Sequence, residues 1–126
     1  MSDAENDRRA RGEAMFNEVY GGIVPLQPRD QRGAFLNNTV DHLFGEIWTR
    51  DGLSIRDRRL MILGVAMALG ESGIVEIQLK AALAKGELTP EQIEEILPFI
   101  VNYIGYPRAS SLGAILQRVL ADNRQK

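Results

Sequence analysis

Apolar residues recur at intervals of three or four positions along almost the entire chain of 126 residues. This spacing places them on one side of an α-helix, whereas a half-buried strand would alternate apolar and polar residues. No segment shows convincing alternation, no internal repeat is visible, and no linker divides the chain. The pattern therefore predicts an all-α, single-domain helical bundle that extends over residues 1–126.

About six helices are expected from this periodicity, because glycines, prolines or polar turn residues separate the apolar segments. Residues 1–11 are polar and are expected to form a flexible or frayed N-terminus. The third helix is apolar on nearly all sides from Leu60 to Leu69, which predicts that it is the most buried element. The expected helices span residues 5–20, 30–48, 54–69, 74–85, 90–104 and 108–122.

The clearest local signal for a helix start is the segment from Thr89 to Gln92, with the sequence Thr-Pro-Glu-Gln. The threonine can cap the helix, the proline lacks only an N–H group that the first turn does not use, and the glutamine can bond back to the cap. Pro98 falls within the same helix. It denies a hydrogen bond to the Glu94 carbonyl and is expected to kink the helix there.

Composition excludes several kinds of chemistry. The chain has no cysteine and one histidine, which rules out disulfides, thiolate zinc sites, thiol catalysis and a multi-histidine metal site within one chain. With 15 Lys+Arg and 17 Asp+Glu, the net charge of −2 argues against a dedicated nucleic-acid binder. The N-terminus lacks the apolar region of a signal peptide, and the longest apolar run is about half of a membrane span. We therefore expect a cytoplasmic protein that binds neither nucleic acid nor a membrane.

His42 and Glu46 are the first candidates for chemistry, because residues four apart on a helix can contact each other. A carboxylate beside an imidazole favours the protonated ring and fixes its tautomer, which prepares a histidine for proton transfer. The alternative is a simple stabilising pair on the helix surface. Gln78 lies on an otherwise apolar helix wall, where its amide could orient a carbonyl group but could not transfer a proton.

Arg50, Arg56, Arg58 and Arg59 cluster where the second helix leads into the third, and any of them could hold a carboxylate through two hydrogen bonds. For at least two of the four, a solvated position at the helix start is the alternative. Tyr103 lies near a helix end, where it either packs or offers a hydroxyl group to a pocket. The apolar stripe on the last two helices is either intramolecular core or part of an oligomer interface.

Three groups of residues form motifs in a fixed order along the chain. Gly45 to Leu53 (GEIWTRDGL), followed by Arg58 to Leu60 (RRL), is similar to the GEVW-x-R-x-GL … R-x-L signature of the carboxymuconolactone decarboxylase family. Lys80 to Gly86, followed by Thr89 to Ile96, resembles its H-x-x-x-A-x-x-x-G … T-x-E-E-I-x-E segment. Tyr103 to Pro107 (YIGYP) is similar to its YAG-x-P corner. The resemblance covers nearly the whole chain without a gap.

The resemblance implies an all-α subunit that assembles as a trimer or a hexamer. It also implies a role in aromatic catabolism, in which 4-carboxymuconolactone loses CO2 to give 3-oxoadipate enol-lactone without a cofactor. The expected ligand is a small-molecule carboxylate or lactone, and no cofactor and no metal are expected. Glu46, Arg58 and Tyr103 match an acidic residue, an arginine and a tyrosine of the family motifs. The predicted catalytic residues are Glu46, His42 and Gln78, and the predicted substrate-binding residues are Arg50, Arg58, Trp48 and Tyr103.

Two positions depart from the family pattern. Gln78 stands where the family has a helical histidine, and Arg59 stands where its alkyl hydroperoxidase D branch has a glutamate. Both cysteine positions of that branch hold other residues, so thiol peroxidase activity is not expected. His42 could take over proton transfer, with Gln78 as the oxyanion donor. Two hypotheses follow: a decarboxylase acting on 4-carboxymuconolactone or a related lactone or carboxylate, and a divergent, non-catalytic oligomeric member that binds a small molecule or a protein partner.

Overall fold

Helices are the only regular elements in the computed structural model, which describes all 126 residues. This confirms the predicted all-α fold. None of the helices combines the length and the apolar character needed to cross a membrane. A short 3-10 turn covers Arg29–Gln31. The helices are α1 (Asp3–Tyr20), α2 (Ala34–Asn38, continued by Thr39–Ile47), α3 (Ile55–Leu69), α4 (Ser72–Ala84), α5 (Pro90–Glu94), α6 (Ile96–Ile104) and α7 (Tyr106–Arg124).

The chain forms two compact units, Met1–Ile55 and Arg56–Lys126. In the first unit, α1 packs against α2, and aromatic rings make up much of the core between them. The rings of Phe16 and Phe44 meet edge to face with centroids 5.1 Å apart, and Trp48 stacks on Phe44 with centroids 5.9 Å apart. The buried residues of this unit are Gly12, Phe16, Val19, Val40, Phe44, Gly45 and Trp48.

Two glycines allow the backbones of α1 and α2 to approach closely. A Cβ atom on Gly12 would lie 1.9 Å from the carbonyl oxygen of Val40, and one on Gly45 would lie 3.0 Å from the carbonyl oxygen of Arg8. A carbon atom cannot come as close to an oxygen as 1.9 Å without a covalent bond, so a larger residue at Gly12 would have to displace a helix. The glycine contact therefore sets the spacing of the two helices.

The second half of α2, Thr39–Ile47, is a π-helix, in which each N–H group bonds to the carbonyl five residues back. At its end the Trp48 N–H donates to the Leu43 carbonyl at 2.8 Å. The sequence predicts one regular helix over residues 30–48. The structure instead starts α2 at Ala34 and changes the hydrogen-bond register halfway along it. Such π-helical segments are rare and frequently occur at functional sites.

The N-terminal segment is helical and contacts α2. Residues 1–11 are expected to be flexible or frayed, but α1 begins at Asp3, capped by a hydrogen bond from a backbone N–H to the Ser2 hydroxyl. Arg9 also holds Asp41 of α2 through two hydrogen bonds of 3.0 and 2.8 Å. Because Asp41 is 32 positions away in sequence, the polar composition of the segment does not reveal this partner.

A carboxylate on α1 is held by two arginines from the loop that follows the helix. Glu13 accepts hydrogen bonds of 2.9 and 2.7 Å from Arg29 and forms an ion pair of 2.7 Å with Arg32. The hydrogen bonds from Arg29, supported by Arg32, lower the pKa of Glu13 from 4.5 to about 2, although partial burial opposes this shift. Folding therefore favours the charged form of Glu13.

In the second unit, α3 to α7 enclose one apolar core. One side of α3 faces this core through Leu63 and Met67, whereas Met61, Val65 and Leu69 are 62%, 59% and 66% exposed. The prediction that α3 is the most buried element is therefore wrong, because apolar residues all round a helix do not show which side its neighbours cover. The buried core consists of Leu63, Ala66, Met67, Val75, Leu79, Ala82, Leu88, Ile93, Leu112, Leu116, Val119 and Leu120.

The helix start predicted at Thr89 is confirmed. The Thr89 hydroxyl accepts a hydrogen bond from the Gln92 N–H at 3.1 Å, and the Gln92 side chain accepts one from the Thr89 N–H at 2.9 Å, which completes a capping box. The segment predicted as one kinked helix over residues 90–104 is instead interrupted at Glu95. Pro98 then lies in the first turn of α6. The N–H groups of a first turn have no partner within the helix, so a proline there costs no helical hydrogen bond.

Replacing Gly12 by alanine should destabilise the protein, because the new Cβ atom would overlap the Val40 carbonyl oxygen. We expect the free energy of unfolding to fall by about 2 kcal/mol or more, as for other overpacking substitutions. Gly64→Ala is the matched control: its Cβ meets no atom within 4 Å, and alanine favours a helix over glycine by about 0.5–1 kcal/mol. Urea denaturation measures both effects, and a Gly12→Ala variant as stable as the wild type would contradict the close approach.

The ion pairs of Glu13 should make stability depend on pH. Because folding lowers the pKa of Glu13 from 4.5 to about 2, its contribution is complete above pH 4.5 and is lost as the pH falls toward about 2. At neutral pH, Glu13→Gln should lower the free energy of unfolding by about 1–2 kcal/mol, a value reduced to allow for solvent screening of the partly exposed pair. Urea denaturation at neutral and acidic pH should show this difference shrinking in acid. Glu18→Gln, which changes an exposed glutamate of α1 that forms no ion pair, is the control, and a difference independent of pH would contradict the assignment.

Candidate functional site

His42 and Glu46, on the π-helical half of α2, contact each other as their spacing predicts. His42 Nδ1 lies 2.9 Å from Glu46 Oε1. Arg8 of α1 adds a third member, because its Nη2 donates to the same carboxylate oxygen at 2.6 Å. All three side chains reach solvent. The first unit therefore presents an imidazole and a carboxylate to any molecule that binds at this surface.

The ionisation of Glu46 determines which nitrogen of His42 carries a proton. The hydrogen bond from His42, followed by the one from Arg8, lowers the pKa of Glu46. An ionised carboxylate can only accept hydrogen bonds, so His42 Nδ1 has to be the donor. In the neutral imidazole, Nε2 is then the nitrogen that can take up a proton. An imidazole held in this way can act as a general base or, once protonated, as a general acid.

In the second unit, Gln78 of α4 belongs to a buried polar network. Arg59 of α3 donates from Nη1 to Gln78 Oε1 at 2.9 Å. The same guanidinium bonds to the Glu87 carboxylate through Nε at 2.8 Å and through Nη2 at 3.2 Å. Arg59 and Gln78 are 0% and 2% exposed, so the charge of Arg59 is compensated by these partners instead of by water. The network joins α3 to α4 and to the turn that precedes α5.

The four arginines between the second and third predicted helices have different environments. Arg50 and Arg56 are exposed, Arg58 is partly buried, and Arg59 is fully buried. Exposure of Arg50 and Arg56 fits both alternatives, a solvated arginine and one that holds a carboxylate. The role predicted for Arg50 and Arg58 in holding a carboxylate stays a prediction.

Trp48 and Tyr103, which are predicted to bind substrate, lie in opposite environments. Trp48 is buried in the core of the first unit, where it stacks on Phe44. Tyr103 is 77% exposed on α6, and its ring lies beside that of Phe99 with centroids 5.5 Å apart. The hydroxyl group of Tyr103 is thus open to solvent, whereas the indole of Trp48 mainly supports the first unit.

Arg8 and Glu87 complete the two polar clusters, and the sequence does not predict either of them. Arg8 is 38 positions from Glu46, and Glu87 is 28 positions from Arg59. Apolar periodicity and short motifs describe neighbours within a helix, so no signal in the sequence links residues this far apart.

A groove of about 560 Å³ lies between α3 and the α5–α6 segment of the second unit. Apolar residues of α3 and α6 supply most of its lining, together with Leu88. Its polar lining residues are Arg56, Gln92 and Glu95. None of the predicted catalytic or substrate-binding residues lines it. The apolar spacing of this segment predicts core or an oligomer interface and does not indicate a cavity.

Comparison with known proteins gives one consistent result. The sequence model described as the Carboxymuconolactone decarboxylase family matches residues 33–118, more than half of the chain and a range that includes every predicted site residue. A curated protein from Acinetobacter baylyi, named 4-carboxymuconolactone decarboxylase, is 28% identical over 88 residues. This similarity covers 70% of the chain and 65% of the relative, so the chain spans less than two thirds of the relative's length. No solved structure matches the chain significantly.

Arg59→Met should destabilise the protein strongly, because it removes the donor shared by the Glu87 carboxylate and the Gln78 oxygen. We expect a loss of about 3–5 kcal/mol, as for other buried ion pairs that lose one partner. A second change, Glu87→Met, made together with the first should restore part of this stability because no unpaired charge remains. Urea denaturation of the wild type, both single variants and the double variant measures the coupling, with Arg124→Met, which changes an exposed arginine of α7, as the control. Strictly additive effects would contradict the ion pair.

Proposed function

The chain belongs to the carboxymuconolactone decarboxylase family, and from this premise we propose that it catalyses the cofactor-free decarboxylation of 4-carboxymuconolactone or of a related lactone or carboxylate. The printed name of the Acinetobacter baylyi relative, 4-carboxymuconolactone decarboxylase, supports this reaction type. The proposal includes the setting that the family resemblance implies, which is aromatic catabolism in the cytoplasm by a homotrimer or homohexamer.

The contact between His42 and Glu46 carries the proposal. In the reaction, the bond to the departing carboxylate breaks, CO2 leaves, and the electron pair moves through a double bond onto the lactone carbonyl oxygen. The electron pair then returns to carbon, which takes up a proton. His42 protonated at Nε2 can deliver this proton, while Glu46 accepts the hydrogen bond from Nδ1 and stabilises the positive ring. Arg8 assists because its hydrogen bond of 2.6 Å holds the Glu46 carboxylate in place beside His42.

The other predicted residues enter the proposal through the family resemblance. Gln78 would donate from its amide nitrogen to the oxyanion, and the bond from Arg59 to Gln78 Oε1 supports this because it fixes which end of the amide accepts. The proposed substrate-binding residues are Arg50 and Arg58 for the carboxylate, with Trp48 and Tyr103.

The Arg59–Gln78 network favours a second candidate function, a non-catalytic oligomeric member that binds a small molecule or a protein partner. The resemblance places a histidine at position 78, and the amide found there cannot transfer a proton. Met61, Val65 and Leu69 form an exposed apolar row on α3 that a second copy or another protein would cover. An oligomer that has kept the family scaffold without its activity would show both features.

An assay with 4-carboxymuconolactone distinguishes the two candidates. The wild type should consume the substrate and release CO2. His42→Gln should lower kcat by about 100-fold or more, since general acid–base catalysis contributes about 10²–10⁴-fold. Glu46→Gln should also lower kcat, because a neutral amide does not stabilise the protonated ring. Glu18→Gln, an exposed change on α1, should leave kcat unaltered.

The results of this assay test the proton donor, the reaction and the oligomeric state separately. Wild-type rates in both His42→Gln and Glu46→Gln would exclude this pair as the proton donor, even if the reaction itself occurs. A folded wild type that does not convert the substrate would overturn the decarboxylation of 4-carboxymuconolactone and favour the non-catalytic candidate. Light scattering on the same sample gives the subunit number, and a monomer would contradict the proposed oligomer.

A further inference from the structure

The groove between α3 and the α5–α6 segment has the size and the lining of a small-molecule site. Its volume of about 560 Å³ lies within the range of about 300–1,000 Å³ that is typical of ligand pockets. Leu63, Met67 and Leu88 are buried and form its floor, whereas Phe99 is 64% exposed and lies at its outer side. An apolar group bound here would remove the exposed ring of Phe99 from water, which is favourable.

Gly64 keeps the α3 side of the groove open. It is a lining residue, and a Cβ atom placed on it would meet no atom within 4 Å. A side chain at this position would therefore extend into free space within the groove. No wall residue has to move to accommodate the Cβ atom itself.

Arg56 supplies a positive charge at the groove that no carboxylate of the chain neutralises. Its Nε donates to the backbone carbonyl of Glu87 at 2.8 Å, which holds the guanidinium in place, and it forms no ion pair. Arg59, one turn further along α3, differs because the Glu87 carboxylate pairs with it directly. The terminal nitrogens of Arg56 are thus free to form the two parallel hydrogen bonds with which arginine binds carboxylates.

Gln92 and Glu95 complete the polar lining and restrict the ligand further. Gln92 Oε1 accepts from the Thr89 N–H in the capping box, so the group that Gln92 can still offer is its amide N–H donor. Two donors, Arg56 and Gln92, therefore favour an anionic head group over a cationic one. Arg56 is the one cationic residue of the lining, so a second negative charge on the ligand would have no cation to pair with and would also be repelled by the Glu95 carboxylate.

We propose that this groove binds a monocarboxylate with an apolar body, such as a medium-chain or aryl-substituted carboxylic acid, whose carboxylate is held by Arg56 and Gln92. The inference goes beyond the proposed decarboxylation and does not depend on it, because His42, Glu46 and Gln78 do not line the groove.

The head group is tested by calorimetric titration of the full chain with octanoate, below the concentration at which it aggregates. Saturable binding to a single site is expected. Octanol, octylamine and the dicarboxylate suberate should each bind at least about tenfold more weakly. Octanol has no charge, octylamine has a positive charge, and suberate carries a second carboxylate in place of an apolar end. Arg56→Gln should weaken octanoate binding by about tenfold or more, whereas Arg124→Gln, an exposed arginine of α7, should not change it.

The apolar part of the site is tested by filling the groove. Gly64→Leu should abolish octanoate binding, because its side chain would occupy the space left at the glycine. Gly73→Leu is the matched control: this helical glycine of α4 also has no atom within 4 Å of its Cβ position, and it does not line the groove. Circular dichroism of both variants confirms that they are folded before the comparison is made.

Three results would overturn the inference. Octanol or octylamine binding as tightly as octanoate would exclude recognition of a carboxylate by Arg56. Unchanged octanoate binding in folded Gly64→Leu would place the ligand elsewhere on the protein. Absence of octanoate binding by the wild type, with decanoate equally inactive, would show that the groove does not take this class of molecule.

Discussion

A guanidinium with no exposed surface is the constraint on which the second unit depends. Arg59 loses its hydration on folding, and the Glu87 carboxylate and the Gln78 amide compensate for this loss. Glu87 is therefore held in the turn between α4 and α5, where its carbonyl oxygen accepts a hydrogen bond from Arg56. Leu88, the next residue, belongs both to the apolar core and to the groove floor. The core, the turn and the groove are thus all connected to one buried charge.

In the first unit the corresponding constraint is a contact between backbones. Gly12 of α1 lies against the Val40 carbonyl of α2, and Arg8, one turn earlier in α1, reaches Glu46. Arg8 and His42 bond to the same carboxylate oxygen, and both lower the pKa of Glu46. The contact between Arg8 and the carboxylate therefore depends on the helix contact, because a shift of α1 would take Arg8 away from Glu46.

Near neighbours in the chain account for what could be predicted from the sequence. The capping box at Thr89 and the contact between His42 and Glu46 each involve residues within four positions, and both were predicted. The network of Arg59 and Glu87 was not, because it joins positions whose proximity depends on how the helices pack. The same limit explains the wrong prediction for α3: its apolar residues indicate a helix, but only its neighbours determine which side is covered. Likewise, the apolar spacing in α2 fits a regular helix as well as the π-helix that forms.

A hydrogen bond joins Arg59 and Gln78, the two residues that depart from the motifs of the family resemblance. A histidine at position 78 would face the buried guanidinium, and a like charge disfavours a protonated imidazole. A glutamine avoids this conflict, because its oxygen accepts from Arg59 while the side chain stays neutral. Gln78 therefore links α4 to α3 in the second unit, at the position where the family resemblance implies a histidine. His42, the only histidine of the chain, lies instead in the first unit, where its hydrogen-bond partner is the Glu46 carboxylate.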